Sequence, residues 1–481
     1  MTLTELVTLS PFIVLAAAAV VLMLVVAFYR HHLLTVVLTL GGLVLAFLAL
    51  AVASSTASPQ VTPLLVLDRY AVFYIGLLIA ASFAVAVLAY GYLEGYDGNC
   101  EEFYLLLLLA TLGSAVLVAS SHFASFFLGL EILSVSLYTL IAYPRRSQAH
   151  IEAGIKYLIL AAASAAFLLF GMALVYAELG TMEFARIASF QRTLGQGSSA
   201  LLLAGLGMLV IGIGFKLAVV PFHMWTPDVY EGAPAPVTAF VATVSKAGMF
   251  ALLLRLFTQL EIHSSGALFL VFALMAIASM FVGNVLALSQ TNVKRILAYS
   301  SIAHLGYLLV AFLASGPLAV TAVTFYWVAY VVTTLGAFGT MTVLSGRQRD
   351  ADRIDDYRGL FWRHPWLAGI FTVTLLSLAG IPLTAGFMGK FYLLAAGVGS
   401  ALWLLVILLV LASAIGLFYY LRLIVAMYTP LPQELEGSVA APSVSWAGSL
   451  VLAALTLALV WLGVYPAPLI DMVQRAVARL L

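Results

Sequence analysis

Apolar residues dominate this chain in runs of 17 to 25, the length that crosses a bilayer as helix, and polar residues gather in the short stretches between. Fourteen such spans are predicted. The first six lie near 11–29, 33–53, 70–92, 103–119, 121–143 and 152–177. A polar connector, 178–198, with room for a short interfacial helix, leads into a long seventh span from 199 to about 231, broken in the middle. Spans near 234–257, 265–288, 294–315 and 317–345 follow, and the most charged loop, 346–363, precedes a second broken span, about 366–397. Spans near 399–428 and 445–466 complete the set. The expected fold is therefore all-α and polytopic, with about 14 transmembrane helices.

Both interruptions are written in the sequence. Gly212 to Pro221 breaks span seven just after Lys216, and Gly380, Ile381 and Pro382 break span twelve just before Lys390. Backbone groups freed at such a break are tolerated at membrane depth only where they are buried in protein or line a wet cavity. Polar pairs accompany the breaks at matching separations. Glu131 in span five stands 85 positions before Lys216, and His304 in span ten stands 86 before Lys390. That correspondence predicts two five-helix repeats, spans four to eight and nine to thirteen, each holding one discontinuous helix third in its block. Because five is odd, the second repeat must be inverted relative to the first. The expected divisions are N-terminal helices at 1–92, a first repeat at 103–257, a second at 265–428 and a final helix at 445–481.

Composition reinforces the class. Hydrophobic residues make up 64% and charged residues 9%, with mean hydropathy +1.13, so hydrocarbon is the solvent for most of the chain. Twenty-one basic and 20 acidic residues leave a net charge of +1, which gives no reason to expect nucleic acid. The single cysteine, Cys100, can neither hold an iron–sulfur cluster nor close a disulfide, and only His304 among eight histidines sits securely at mid-depth, which argues against haem. The start, MTLTELVTLSPF, lacks a basic region and a small-residue cleavage site, so the first span is expected to be a retained anchor. Loops after odd-numbered spans carry Arg30, Arg145, Arg146, Lys294, Arg295, Arg347, Arg349, Arg353, Arg358 and Arg363, against Arg69, Arg186 and Arg192 after even ones. This bias puts the odd loops in the cytoplasm and both termini outside, although Arg475 and Arg479 point the other way.

A charge at bilayer mid-depth costs at least ~2.5 to 3.5 kcal/mol, so Lys216, Lys246 and Lys390 are functional candidates. A carboxylate and an ammonium in neighbouring helices favour each other's charged form, while burial favours the neutral form of both. Small changes in geometry or hydration then move a proton. Glu131 is the natural partner of Lys216, as carboxylic acid or as a structural ion pair. His304, which titrates near neutrality without help, suits a relay between half sites. Lys156, near the start of span six, suits a relay or a packing partner, and Lys294, beside Arg295 at a helix end, suits transport or topology anchoring. His223 and Asp228 are expected to cap and fix the first break, and Trp225, Trp362 and Trp366 to anchor at the membrane interface.

Three stretches carry a resemblance: GIGFKLAVVPFHMWTPDVYEGAPAPVTAFVATVSK at 212–246, ALSQTNVKRILAYSSIAHLGYLL at 287–309 and SLAGIPLTAGFMGKFYLL at 377–394. Together they are similar to the antiporter-like membrane subunits of the proton-pumping NADH:quinone oxidoreductase, respiratory complex I. Lys390, where chain M is expected to carry glutamate, and a chain that stops soon after span fourteen, without the lateral helix of chain L, point to the chain N branch, the counterpart of mitochondrial NADH dehydrogenase subunit two. The resemblance implies that Glu131, Lys216, Lys246 and Lys390 carry proton translocation, with His304, Lys294 and Lys156 in the same hydrophilic axis. It implies no flavin, iron–sulfur cluster or quinone site in this chain, with FMN and clusters in partner subunits. Chain M and small helical chains of the membrane arm are the implied direct partners, the peripheral arm an indirect one, and the bacterial inner membrane the location. Two other functions stay open on these residues: a subunit of a stand-alone cation/proton antiporter or membrane-bound hydrogenase, and an assembly scaffold whose buried charges only lock helices together.

Overall fold

The computed structural model describes residues 3–55, 60–94, 98–143, 148–194, 199–260, 266–346, 349–430, 445–478 and 480. Arg145, Arg146, Arg347, Arg479 and most of the loop at 429–444 therefore lie outside the described residues. The chain is almost entirely helical. Six helices come first: α1 (Leu3–Phe28), α2 (His32–Ala53), α3 (Arg69–Leu93), α4 (Glu101–Ala119), α5 (Phe123–Ala142) and α6 (Gln148–Leu179). The polar connector holds the expected short helix, α7 (Phe184–Leu194). Span seven is α8 (Ala200–Leu217), a break, and α9 (Trp225–Gly232). Span eight is α10 (Ala235–Phe240), a π-helical turn at Val241–Ser245, and α11 (Lys246–Gln259). Next come α12 (Gly266–Leu288), α13 (Val293–Phe312) and α14 (Pro317–Leu344). After a short α15 (Leu360–Arg363), span twelve divides into α16 (Pro365–Ala379) and α17 (Ala385–Gly399). The chain ends with α18 (Trp403–Tyr428), α19 (Trp446–Val464) and α20 (Ala467–Val477).

Among the described residues, 13 helical stretches are long and apolar enough to cross a membrane, and the split pair α16–α17 supplies the remaining expected span. Their polarity sorts them radially. The α10–α11 line is wholly buried, α13 nearly so and α14 largely so, whereas α1, α2, α6, α12, α18 and α19 present apolar side chains outward. The innermost helices are also the ones carrying Lys246, Ser301 and His304, so lipid-facing helices wrap a polar centre.

Helix ends follow local chemistry. Asp68, Asn292, Ser199 and Thr384 each accept a backbone N–H of the first turn of α3, α13, α8 and α17. At the first break, α8 ends with Ala218 in the left-handed region (φ 62), a conformation costing a non-glycine residue about 1–2 kcal/mol, and Trp225 fixes the turn by donating to the Phe215 carbonyl at 2.9 Å. The second break uses Gly380 (φ 84), where no side chain resists that geometry. Gly386 then lets α17 fold back against α16 so closely that an added Cβ would sit 1.9 Å from the Ser377 carbonyl oxygen. Three features were not expected from the sequence: an antiparallel hairpin at Gln60–Thr62 and Leu65–Val66, the π turn before Lys246, and the amphipathic α20, whose Val473, Ala476 and Val477 pack inward.

Candidate functional site

Lys216 lies at the end of α8 and is 3% exposed. Its Nζ donates to Tyr157 Oη of α6 at 2.8 Å and to Ser134 Oγ of α5 at 3.1 Å. Glu131, one turn before Ser134, is half-buried, and its Oε1 is buried without a hydrogen-bond partner among the described residues. Of the two arrangements the sequence left open, no direct Glu131–Lys216 ion pair is found among the described residues. Hydroxyls hold the ammonium instead, and Glu131 acts on it through space. A groove of about 750 Å³ between α4, α5 and α6 is lined by Glu102, Tyr138 and Tyr143 among others, and the Tyr138 ring, packed edge-on to Tyr157, stands between it and Lys216.

Lys246 follows the π turn, which inserts one residue into the helix and re-aims everything after it. It is fully buried and donates to Ser301 Oγ of α13 at 2.8 Å. Tyr330 Oη of α14 donates to the same oxygen at 2.7 Å, and the Tyr230 ring lies 5.4 Å from the ammonium. One turn on from Ser301, His304 shares hydrogen bonds with Tyr326 (2.5 Å) and Tyr420 (3.2 Å), and Tyr420 in turn bonds Ser300. Lys390 of α17 reaches back across the second break. Its Nζ donates to the Leu378 and Ala379 carbonyls at 3.0 and 2.9 Å and to Ser413 Oγ at 2.7 Å, above the Tyr307 ring at 5.2 Å.

A different arrangement closes the face of the odd-numbered loops. Lys294 forms a buried ion pair with Asp350 and donates to the Ala233 and Glu231 carbonyls, at 2.7 and 3.3 Å, where α9 ends. Asp350 also accepts from Tyr92 Oη at 2.8 Å and from the Ala235 N–H at 3.1 Å. Around it, Arg295 pairs with Asp228 (2.9 Å) and Glu231 (2.7 Å), and Lys156 with Asp228 (3.0 Å) and Glu152 (2.8 Å). Lys156, 44% exposed in its side chain, thus stands at the rim in an ion-pair network and apart from the buried centre. In the adjoining loop, the hydrogen bond to Asp356 raises the Arg349 guanidinium above its ordinary range.

Several sequence expectations need correction. Trp225 is 2% exposed and packs on Tyr157 with ring centres 4.9 Å apart, so it is a buried brace and not an interface anchor. Asp228 spends its carboxylate on Lys156 and Arg295 and caps no helix. His223 is largely buried at the break with its Nδ1 unpartnered among the described residues. Sequence reasoning also missed Arg255 near the end of α11, which is 3% exposed and holds Asp68 through two 2.8 Å bonds above the Tyr70 ring. A helix-end arginine reads as a topology signal, and only its partner 187 residues away shows otherwise. The tyrosines of the centre were missed too, because isolated hydroxyls in apolar spans leave no spacing signature.

Among the described residues, no group of three or more His, Cys, Asp or Glu side chains is placed to hold a metal. The buried centre is instead a set of ammonium groups, hydroxyls, one imidazole and one carboxylate, a chemistry suited to passing protons.

Comparison with known proteins agrees with that chemistry. The family model described as NADH:quinone oxidoreductase/Mrp antiporter, TM, matches residues 120–416. NADH-quinone oxidoreductase subunit N of Nitrosospira multiformis is 57% identical over 98% of this chain and 96% of its own length, and the subunit N of Ectopseudomonas mendocina is 51% identical over 99% and 97%. A chain of respiratory complex I from Thermus thermophilus is similar in structure, with TM-score 0.82 and 32% identity over 96% of this chain and 98% of that one. The Mrp complex from Dietzia sp. contains a chain with TM-score 0.85 but 21% identity, over 100% of this chain and 98% of that one, a likeness of fold alone. Both curated relatives match almost end to end, and the chain belongs to the NADH-quinone oxidoreductase subunit N family of antiporter-like membrane proteins.

Proposed function

We propose that this chain moves protons within the membrane arm of NADH:quinone oxidoreductase, with Lys216, Lys246 and Lys390 as the groups whose charge changes, Glu131 modulating Lys216 and His304 relaying between Lys246 and Lys390. One observation carries the reading. Among the described residues, Lys216, Lys246 and Lys390 are buried yet bonded only to hydroxyls and carbonyls, whereas the buried Lys294 and Arg255 each have a carboxylate partner. An ion buried alone costs several kcal/mol, and a fold that needed these cations only to lock helices would give them anions. The scaffold reading therefore fits Lys294 and Arg255 and fails at the three lysines.

The chain itself performs no redox step in this reading. FMN and iron–sulfur clusters belong to partner subunits, and neighbouring membrane-arm chains, chain M and small helical chains among them, carry the coupling. Lys294 and Lys156 act at the rim, shaping access to the buried groups. The two blocks 103–257 and 265–428, flanked by 1–92 and 445–481, serve as the two half-channels; their support is that each contains one helix broken at a residue with positive φ, Ala218 in one and Gly380 in the other. The membrane is the bacterial inner membrane, with both termini periplasmic and the Lys294–Asp350 face cytoplasmic, as the loop arginines favour. In assembled complex reconstituted in vesicles, Lys216→Ala with Lys246→Ala is expected to lower protons moved per NADH while leaving electron transfer from NADH to an artificial acceptor intact. Full pumping by the assembled double variant refutes the assignment, and sodium or potassium flux without NADH would replace it with a stand-alone antiporter.

A further inference from the structure

The proposed route has a gap between Lys216, bonded to Tyr157 and Ser134, and Lys246, bonded to Ser301. α9 fills that gap, packing against α6 on one side and α13 on the other. Thr226 and Tyr230, four residues apart, share one face of it. Both are 0% exposed in a part of the chain where buried hydroxyls ordinarily find partners, and neither hydroxyl has one among the described residues. The Tyr230 ring lies 5.4 Å from the Lys246 ammonium, and its hydroxyl is beside Ser301, the oxygen that accepts from both Lys246 and Tyr330, without reaching bonding geometry. On the other side it is close enough to Tyr157, the partner of Lys216, to interact electrostatically. Trp225, its ring tilted against Tyr157 and its N–H tied to the Phe215 carbonyl, fixes the first turn of α9, on which Thr226 lies.

Resting on the lysine route above, we propose that the Tyr230 hydroxyl, with Thr226 one turn before it, is the proton link between the Lys216 and Lys246 sites. The transfer balances at each step. Tyr157 accepts a proton from the Lys216 ammonium and releases its own; the Thr226 hydroxyl or a water accepts that proton and releases one to Tyr230, which releases its own; Ser301 does the same, and the Lys246 amine takes up the last. Every hydroxyl ends neutral, one positive charge has moved from Lys216 to Lys246, and no oxidant or reductant is consumed.

The test uses the whole complex in vesicles, carrying Tyr230→Phe, which keeps the ring against Phe338 and Lys246 and removes only the hydroxyl. Assembly on a native gel is expected to match the parent, while transfer between the sites slows ~10²-fold and the proton-to-electron ratio falls, as expected when a positioned proton-transfer group is lost. A fluorinated tyrosine at 230, which keeps the hydroxyl but makes it more acidic, should shift the pH profile of pumping, a response that a packing role would not give. If Tyr230→Phe pumps at the full ratio while Lys246→Met does not, the Tyr230 link is wrong and the lysine route stands. If both pump at the full ratio, the lysine route itself falls and takes this link with it.

Discussion

Replacing Lys246 and Lys294 separately by methionine should split transport from assembly, because the two buried lysines are held in opposite ways. Lys246→Met removes one charge-assisted bond, to Ser301, worth ~1.5–3 kcal/mol. Ser301 keeps its Tyr330 donor at 2.7 Å, so no buried acceptor is orphaned. Against that loss stands the relief of burying an ammonium without an anion, itself several kcal/mol, and a side chain of similar length fills the space for less than ~1.5 kcal/mol. The sum is near zero or favourable. Lys294→Met instead strands Asp350, whose side chain is 7% exposed, and breaking such a pair costs ~3–5 kcal/mol. It also frees the Glu231 and Ala233 carbonyls where α9 ends. Native gels should therefore show parental amounts of complex for Lys246→Met and a large loss for Lys294→Met, repaired in part by adding Asp350→Asn. Proton uptake into vesicles, per NADH oxidised, should fall in the assembled Lys246→Met complex. The reasoning is refuted if Lys246→Met assembles as badly as Lys294→Met, or assembles and pumps fully.

Three further outcomes follow from local geometry. Gly386→Ala places a Cβ 1.9 Å from the Ser377 oxygen and must push α17 off α16, so assembly and thermal stability should drop, while Gly369→Ala, which meets nothing within 4 Å, should change neither. Asp68→Ala unpairs the buried Arg255 and should destabilise by ~3–5 kcal/mol, with Arg255→Met in the same chain recovering most of it except the α3 cap, about 1 kcal/mol. Burial, helped by neighbouring Glu101, pushes the Cys100 thiol up to about 11, so it stays protonated at neutral pH; maleimide labelling should accelerate about tenfold per pH unit from pH 7 to 10, and a rate already level at pH 8 would contradict that environment.

What the sequence made legible was whatever hydropathy or chain punctuation records locally. Spans can be read because lipid demands unbroken apolar helix, and both breaks because Gly and Pro announce them. Lys216, Lys246, His304 and Lys390 stand out because charge or imidazole within a span is rare, and each proves buried. Their partners could not be read. Lys216 meets Tyr157 across 59 positions and Lys246 meets Ser301 across 55, and no period in the sequence links a lysine to a serine on another helix. Trp225 went astray, and Lys156 stayed open between relay and packing partner, for related reasons. A tryptophan near a break and a lysine near a helix start look alike whether they face the interface or the interior, and only packing decides.

The two broken helices show how similar sequence signals become different devices. Lys216 and Lys390 stand at similar distances from Glu131 and His304, yet the ammonium of Lys216 sits on the helix that ends at the break, while that of Lys390 reaches back from the helix that begins after it. Lys390 therefore bonds the last carbonyls of α16, the negative end of a helix dipole, which favours a cation there. Lys216, itself in the last turn of α8, has neutral hydroxyls as its direct partners among the described residues, with Glu131 at a distance. If the three lysines form one route, moving a proton off Lys390 requires changing the contact across the second break. Ser413→Ala removes one of the three bonds to the Lys390 ammonium and leaves both carbonyls in place. It should slow pumping less than Lys390→Met does. Equal loss from the two variants in assembled complex would mean that the hydroxyl, and not the helix end, holds the charge.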